Sequence, residues 1–372
     1  MRTSAVAGVV FANASDDMLN KLTKVRSMAS VPFGARYRLI DFTLSNLVNA
    51  GVGNVGVITK ENYRSLMDHI GNGVSWDLDR KNGGLYILPP YISSGIKRYT
   101  GTVDALMGAM NYVERCMSEY IILCNADTIA NVDISEAMKS HIARNADITV
   151  VYHHGHMPMN HGEKMILEFD GDEKVKSVSF NGDGADDVNY EVGITIISRD
   201  LLIQLIKEAY ENDSVSINRD IIAAKLKQLK IYGFEHKNFV VVLDSLDSYY
   251  DASMALLKSE VRQQLFDKNR PIFTKTRDDM PTRYGTKASV NNCFIADGCV
   301  IDGTVKNSIL FRGVKIEKGA VVENCILMQG TAIGENAQLF NVISDKNASV
   351  GADMVLKGTP KKCFFIKKNQ IL

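Results

Sequence analysis

From about residue 288 to the carboxyl end, branched apolar residues recur at intervals of about five or six: Val305, Leu310, Ile316, Val322, Leu327, Ile333 and Leu339. Gly298, Gly303, Gly313, Gly319, Gly330, Gly334 and Gly351, with small polar residues, fill the gaps. Glycine supplies the left-handed or crowded positions that tight, regularly spaced corners need. Short strands that each turn one aliphatic side chain inward cannot bury it alone; coils of them must stack so that the side chains form one continuous column. The alternative is a β-sandwich with glycine turns.

The preceding sequence follows another rule. Short apolar runs at Ser4 to Phe11, Val55 to Thr59, Tyr120 to Cys124, Ala146 to Tyr152 and Gly193 to Ile197 suit buried strands. They alternate with helical stretches at Leu39 to Asn49, Thr102 to Cys116 and Arg199 to Glu211, which predicts an α/β domain with a mostly parallel sheet. Ligands of such sheets sit beyond the carboxyl ends of the strands, where the turns FANASDD and NAD fall. A last helix over Tyr250 to Gln264 is followed by a loop-like stretch with two prolines and mixed charge. The expected division is a nucleotide-type domain at 1–265, a linker at 266–287 and stacked coils at 288–372.

Composition narrows the function classes. At 372 residues the chain exceeds what one core usually holds, and a 45% hydrophobic share suffices for two. Lys plus Arg and Asp plus Glu are both 43, so no global field favours nucleic acid or an acidic membrane, and any anion site must be local. No apolar run approaches the roughly 18 residues of a membrane span. The six cysteines form no CxxC pair and the amino terminus does not read as a signal peptide, so a cytoplasmic location with reduced thiols is expected.

Five separated segments carry a resemblance, in order. VPFGARYRLIDFTLSN (Val31 to Asn46) is similar to VPFGGKYRIIDFPLSN of the ADP-glucose pyrophosphorylase (glucose-1-phosphate adenylyltransferase) family, and SWDLDRKNGGLYILPPY (Ser75 to Tyr91) to its WDLDRxxGGVxILPPY. RYTGTVDAL, NADTIANVD and LDSYYDASM resemble WYxGTADAI, SGDHIYKMD and IESLWEANM. The resemblance implies a Rossmann-like nucleotidyltransferase domain followed by a left-handed parallel β-helix of hexapeptide repeats. It also implies the reaction: the phosphate of glucose 1-phosphate attacks the α-phosphorus of ATP, with Mg²⁺ neutralising charge.

The positions that would carry that chemistry have changed. Counting back without gaps from Val31 puts Asn13, Ala14, Ser15, Asp16, Asp17, Met18 and Leu19 where the family has GGxGxRL. Amides that would approach the triphosphate are covered by side chains, the arginine is Met18, and Asp16 and Asp17 repel phosphate. Met28 replaces the lysine of a Lys-Pro pair. Of the two aspartates that hold Mg²⁺ in the family, Asp127 is retained, but its partner position is Val242, which offers no oxygen. Asp244, two residues on, is a possible substitute ligand. The family's sugar-phosphate lysine and serine fall on Asn181 and Glu191. No bound cofactor is therefore expected, Mg²⁺ included, and activity close to none.

Lys24, Arg26, Arg36 and Arg38 form a basic cluster near where the family receives anionic effectors; the alternative is a solvated charged face. Trp76, Asp77, Asp79, Gly101 and Thr102 match family motifs and are read as packing residues. Retention of framework with loss of site implies a subunit selected for assembly, similar to the family's non-catalytic companion subunit of glycogen biosynthesis. The expected partner is a catalytic subunit in a heterotetramer, with homo-oligomers when alone. The rival readings are an active pyrophosphorylase with altered ligands, a stand-alone nucleotide or sugar-phosphate sensor, and a hexapeptide acyltransferase. The last needs a histidine base, yet all seven histidines precede the repeats. HHGHMPMNH is read as a polar loop rather than a metal site.

Overall fold

A computed structural model describes residues 5–13, 19–90, 99–159, 164–180, 182 and 184–372. In chain order the first domain runs β1 (Val6–Phe11), α1 (Leu39–Asn49), β2 (Asn54–Ile58), β3 (Gly84–Leu88), α2 (Thr102–Gly108), α3 (Met110–Arg115), β4 (Tyr120–Asn125) and β5 (Thr128–Ala130). It continues α4 (Ile134–Ala143), β6 (Ile148–Gly155), β7 (Ile166–Phe169), β8 (Val175–Ser179), β9 (Val188–Ser198), α5 (Arg199–Glu211), β10 (Ile231–Glu235), β11 (Val240–Val242), α6 (Leu246–Ala255) and α7 (Ser259–Leu265).

β1 is buried along its whole length and pairs in parallel with β2 and β4, the central position its unbroken apolar run predicts. The nine-stranded sheet has the order β8-β7-β9-β4-β1-β2-β3, with β6 on β9 and β10 on β6. Within the mostly parallel sheet that the sequence predicts, β9 runs antiparallel to β4, β6 and β7. Its register with β6 shifts between Glu191 and Ile194, at Gly193, whose φ is 78°. Two expected helices are interrupted. The stretch from Thr102 divides into α2 and α3 around Gly108 and Ala109; a side chain at Gly108 would strike the Tyr99 hydroxyl. The last helix begins earlier than expected, at Leu246, and is broken between Ala255 and Ser259. The histidines read as a loop partly belong to β6: His153 and His154 lie in the strand, and His154 bonds Asp187 and Asn189.

Coils begin at Arg283, inside the expected linker, and form three sheets of five parallel strands each. The seven aliphatic residues singled out by spacing are all at most 1% exposed and fill one internal column. Glycine and asparagine share the corners. A Cβ at Gly303 would lie 2.4 Å from the Ala320 carbonyl oxygen, whereas Asn307, Asn324 and Asn341 turn another corner with φ of 44–54°.

The domains share a core. Phe33, Phe42, Tyr249 and Leu256 pack with Ile309, Phe311, Ile326 and Ile343 of the coils. Within this seam the Arg26 guanidinium meets Asp345, 2.7 Å from one carboxylate oxygen and 3.0 Å from the other, each side chain 2% exposed. Removing one partner of such a pair strands a buried charge, whereas an apolar pair of similar volume does not. Asp345→Ala is therefore expected to lower unfolding free energy by about 3–5 kcal/mol, and Arg26→Met with Asp345→Leu to recover most of that loss, both read by denaturant melts.

Candidate functional site

The strand-end pocket is built by β4, the turn to β5, and β9. Asn13, just past β1, fixes the turn by accepting from the Lys60 amide at 2.7 Å and donating to the Glu61 carbonyl at 3.3 Å. Ala14, Ser15, Asp16, Asp17 and Met18 lie outside the described residues, as does Asn181. Met28 is fully buried in the seam, so the position holds core packing rather than a cation.

Asp127 lies in the turn after β4 and is 1% exposed. Its backbone carbonyl accepts from Leu243 at 3.0 Å, and its carboxylate accepts from the Thr128 hydroxyl at 3.1 Å. β11 pairs antiparallel with β5, placing Val242 opposite Thr128 with its side chain in the core. The element that would bring a second metal ligand thus brings a hydrocarbon. Asp244 accepts from the Ser245 hydroxyl at 3.0 Å, while the Ser248 hydroxyl accepts from its amide at 3.1 Å. Against Asp127 stands Lys164, 3.3 Å from one carboxylate oxygen and 3.4 Å from the other, only 5% of its side chain exposed.

Glu191 joins this group. It is buried, accepts from Asn218 Nδ2 at 2.7 Å and from the Met165 amide at 3.3 Å. Burial pushes its pKa up; Lys164 opposes that shift and Asp127 adds to it. Lys164, Asp127 and Glu191, all buried, and half-buried Asn218 form a polar cluster at the carboxyl end of β4. Mg²⁺ requires a near-octahedral set of oxygens. An ammonium against Asp127 and a valine at the partner position do not supply one, and among the described residues no group of three or more His, Cys, Asp or Glu is arranged to hold a metal.

The other expected residues divide by role. Trp76 is 2% exposed in the sheet core and meets His69 edge-on at 6.0 Å. Asp77 pairs with Arg80, and Asp79 accepts from Asn72 at 3.1 Å. Gly101 precedes α2 where a Cβ would lie 2.2 Å from the Val215 carbonyl oxygen, and Thr102 Oγ1 accepts from the Ile217 amide at 2.9 Å. These contacts close turns and pack elements.

The basic cluster is rearranged. Arg26 is sequestered by Asp345, and Lys24 is exposed but does not line the cleft that receives the others. Arg36 and Arg38 face a cleft between the domains with Arg277 of the linker and Arg312 and Lys346 of the coils. These last three were not marked in the sequence. The available signal was periodic: Ile309, Ile326 and Ile343 pair in successive coils, so positions 312, 329 and 346, each three residues on, stack at one corner. Arg38 donates to the Ser65 hydroxyl at 3.0 Å, and burial pushes it down to about 10. Arg312 is 8% exposed, its Nε 3.6 Å from Asp279, and its Nη2 has no hydrogen-bond partner among the described residues. Burial, with Arg38 and Arg26 nearby, pushes Lys346 down to about 7 against the pull of Asp345. Packed cations with an unsatisfied guanidinium edge make a site suited to a multiply charged anion.

Fold and site define a nucleotidyltransferase-type domain joined to hexapeptide coils. The family described as nucleotidyl transferase matches residues 8–179, and that described as GlmU-like, C-terminal hexapeptide matches residues 278–362. The chain is 34% identical over 372 residues to the glycogen biosynthesis protein GlgD of Bacillus subtilis (strain 168), covering 100% of this chain and 98% of that protein. It is 37% identical over 365 residues to GlgD of Geobacillus stearothermophilus, covering 98% and 96%. It is 33% identical over 328 residues to the glucose-1-phosphate adenylyltransferase of Geobacillus stearothermophilus, covering 87% and 84%. The chain belongs to the family formed by GlgD and the glucose-1-phosphate adenylyltransferases. No helix among the described residues is long and apolar enough to cross a membrane.

Lys346 gives the cleft a pH signature. Its folded pKa lies below its unfolded value, so between about 7 and the ordinary lysine range the unfolded chain holds more protons, and this group's contribution to stability rises with pH. A bound dianion reverses that preference by favouring the ammonium. Sulfate, which does not itself titrate there, is expected to bind several-fold more weakly as pH rises from about 6 to about 9; calorimetric titration of the parent chain and Lys346→Met checks it, the variant losing the pH dependence. His69, which also lines the cleft, is pushed below its ordinary value by burial, against the pull of Asp41.

Proposed function

We propose that this chain is a regulatory or scaffolding subunit of bacterial ADP-glucose pyrophosphorylase in glycogen biosynthesis, with little or no catalysis of its own. The observation that carries the reading is the occupation of the strand-end pocket by the chain's own ions. Asp127 pairs with Lys164, and Val242, opposite the adjoining Thr128, brings no carboxylate from β11, so the cation that would neutralise a reacting triphosphate is replaced by an ammonium. A lysine lends one positive charge at one point; it cannot bridge two phosphates as a divalent ion does. On this reading the chain carries no Mg²⁺ or other cofactor.

Assembly with a catalytic homologue, in a heterotetramer, is the partner this reading requires. The open end of the coils supports it. Strands Val355–Lys357 and Phe364–Ile366 each end a sheet and are paired on one side only among the described residues, whereas the edge of Ser349–Val350 is covered by main-chain bonds to Gln370 and Leu372. Val355 and Ile371 nearby are 54% and 82% exposed. An unpaired strand edge with exposed apolar residues invites another chain. The cationic cleft would receive an anionic effector, and Arg36 and Arg38 are its amino-terminal wall. Cytoplasmic residence follows from the same partnership.

The test is made on the purified full-length chain with ATP, Mg²⁺ and glucose 1-phosphate. No pyrophosphate release above the enzyme-free control is expected, and clear release at micromolar protein would sink the proposal. Coexpression with a catalytic homologue should give a mixed assembly on sizing whose kinetics differ from those of the homologue alone. Separate elution of the two chains would favour a stand-alone sensor.

A further inference from the structure

A second cleft lies at the opposite end of the sheet from Asp127, around the amino-terminal ends of β2 and β3 and the carboxyl end of α3, and encloses about 880 Å³. That volume lies in the range of small-ligand sites. Its rim carries Arg80, Lys81 and Arg115, and among the described residues no carboxylate lines it. In a chain of zero net charge this is a local concentration of positive potential. Lys81 and Arg115 are exposed and make no ion pair among the described residues. Arg80 is held through Nε and Nη2 by Asp77 at 2.6 and 2.5 Å, which fixes the guanidinium over Gly53. A Cβ at Gly53 would lie 2.5 Å from Nη1 and displace it.

The wall beside these cations is aromatic. Tyr86 of β3 stands opposite Gly56 of β2 in the parallel register. A Cβ at Gly56 would lie 2.8 Å from the ring of Tyr112, so the glycine seats that ring beside Tyr86 with centroids 5.5 Å apart. The Tyr112 hydroxyl donates to Asn54 Oδ1 at 3.0 Å and fixes the ring from behind, while Tyr86 remains 45% exposed. Cations able to take phosphates stand next to a positioned ring pair with one open face.

We propose that this cleft binds a nucleotide, its phosphates held by Arg80, Lys81 and Arg115 and its base laid against Tyr86. Each half of the ligand matches chemistry already in place: guanidinium and ammonium for phosphate oxygens, an aromatic face for a planar base. The site is separate from the strand-end pocket and from the cleft between the domains, and the inference rests on neither.

Equilibrium dialysis of the full-length chain against ADP and against inorganic pyrophosphate tests it. ADP binding in the micromolar to millimolar range is expected, weakened at least about tenfold in the Arg80→Ala, Arg115→Ala double variant. Tyr86→Ala is expected to weaken ADP but not pyrophosphate, separating base recognition from charge alone. Lys237→Ala, an exposed cation that lines neither cleft, should leave ADP binding unchanged. The substituted rim residues are exposed, and unchanged thermal melting confirms that the fold is intact. Absence of ADP binding at millimolar concentration, or binding indifferent to the double variant, overturns the proposal. So does binding abolished by Arg312→Ala, which would place the nucleotide between the domains.

Discussion

A guanidinium and a carboxylate sealed between two domains, Arg26 and Asp345, set the terms for the rest of the molecule. Charges so buried persist only when the surrounding packing holds both in place. Here the packing is the shared seam, in which Tyr249 also donates to the Pro32 carbonyl at 2.7 Å and Tyr250 to that of Asn324 at 3.0 Å. The coils therefore form a wall of the first domain. Arg26 lies a few residues past the segment corresponding to the family's nucleotide loop, and Asp345 immediately precedes Lys346 in the cationic cleft. One ion pair thus spans the distance between the two regions on which function would turn.

At the end of β4 the contrast between inherited framework and altered chemistry is sharpest. Asp127 keeps its place in the turn, supported through its own carbonyl by Leu243. Its surroundings have become self-sufficient. Lys164 neutralises part of the negative charge, Asn218 and the Met165 amide donate to Glu191, and Val242, opposite Thr128, turns a hydrocarbon into the core. A buried polar network with its hydrogen bonds made is rigid, and it gives a ligand little to gain by entering.

Much of this was legible in the sequence. The five-to-six-residue spacing marked the inner column of the coils, because one inward side chain per strand is a strict geometric demand. Met28, placed by gap-free counting, and Val242, placed by aligning the segment that follows it, are both core residues. Other features left no readable trace. Apolar runs carry no direction, so nothing marked β9 as antiparallel. Lys164 escaped notice because comparison by motif examines only matched positions, and a lysine that folds in from an unmatched segment is invisible to it. Arg26 read as a surface cation because its partner lies more than three hundred residues away. The cleft was half visible for the same reason: Arg36 and Arg38 adjoin a motif, whereas Arg277, Arg312 and Lys346 meet them only after the coils close against the first domain.

The corner that presents Arg312, Gln329 and Lys346 belongs to three stacked turns of one repeating backbone. Its strands are held by main-chain hydrogen bonds and by the inner column, neither of which depends on what projects outward at the corner. Each turn therefore exhibits one interchangeable side chain on a fixed pitch. Divergence among family members can retune what the groove recognises one rung at a time, leaving the scaffold untouched.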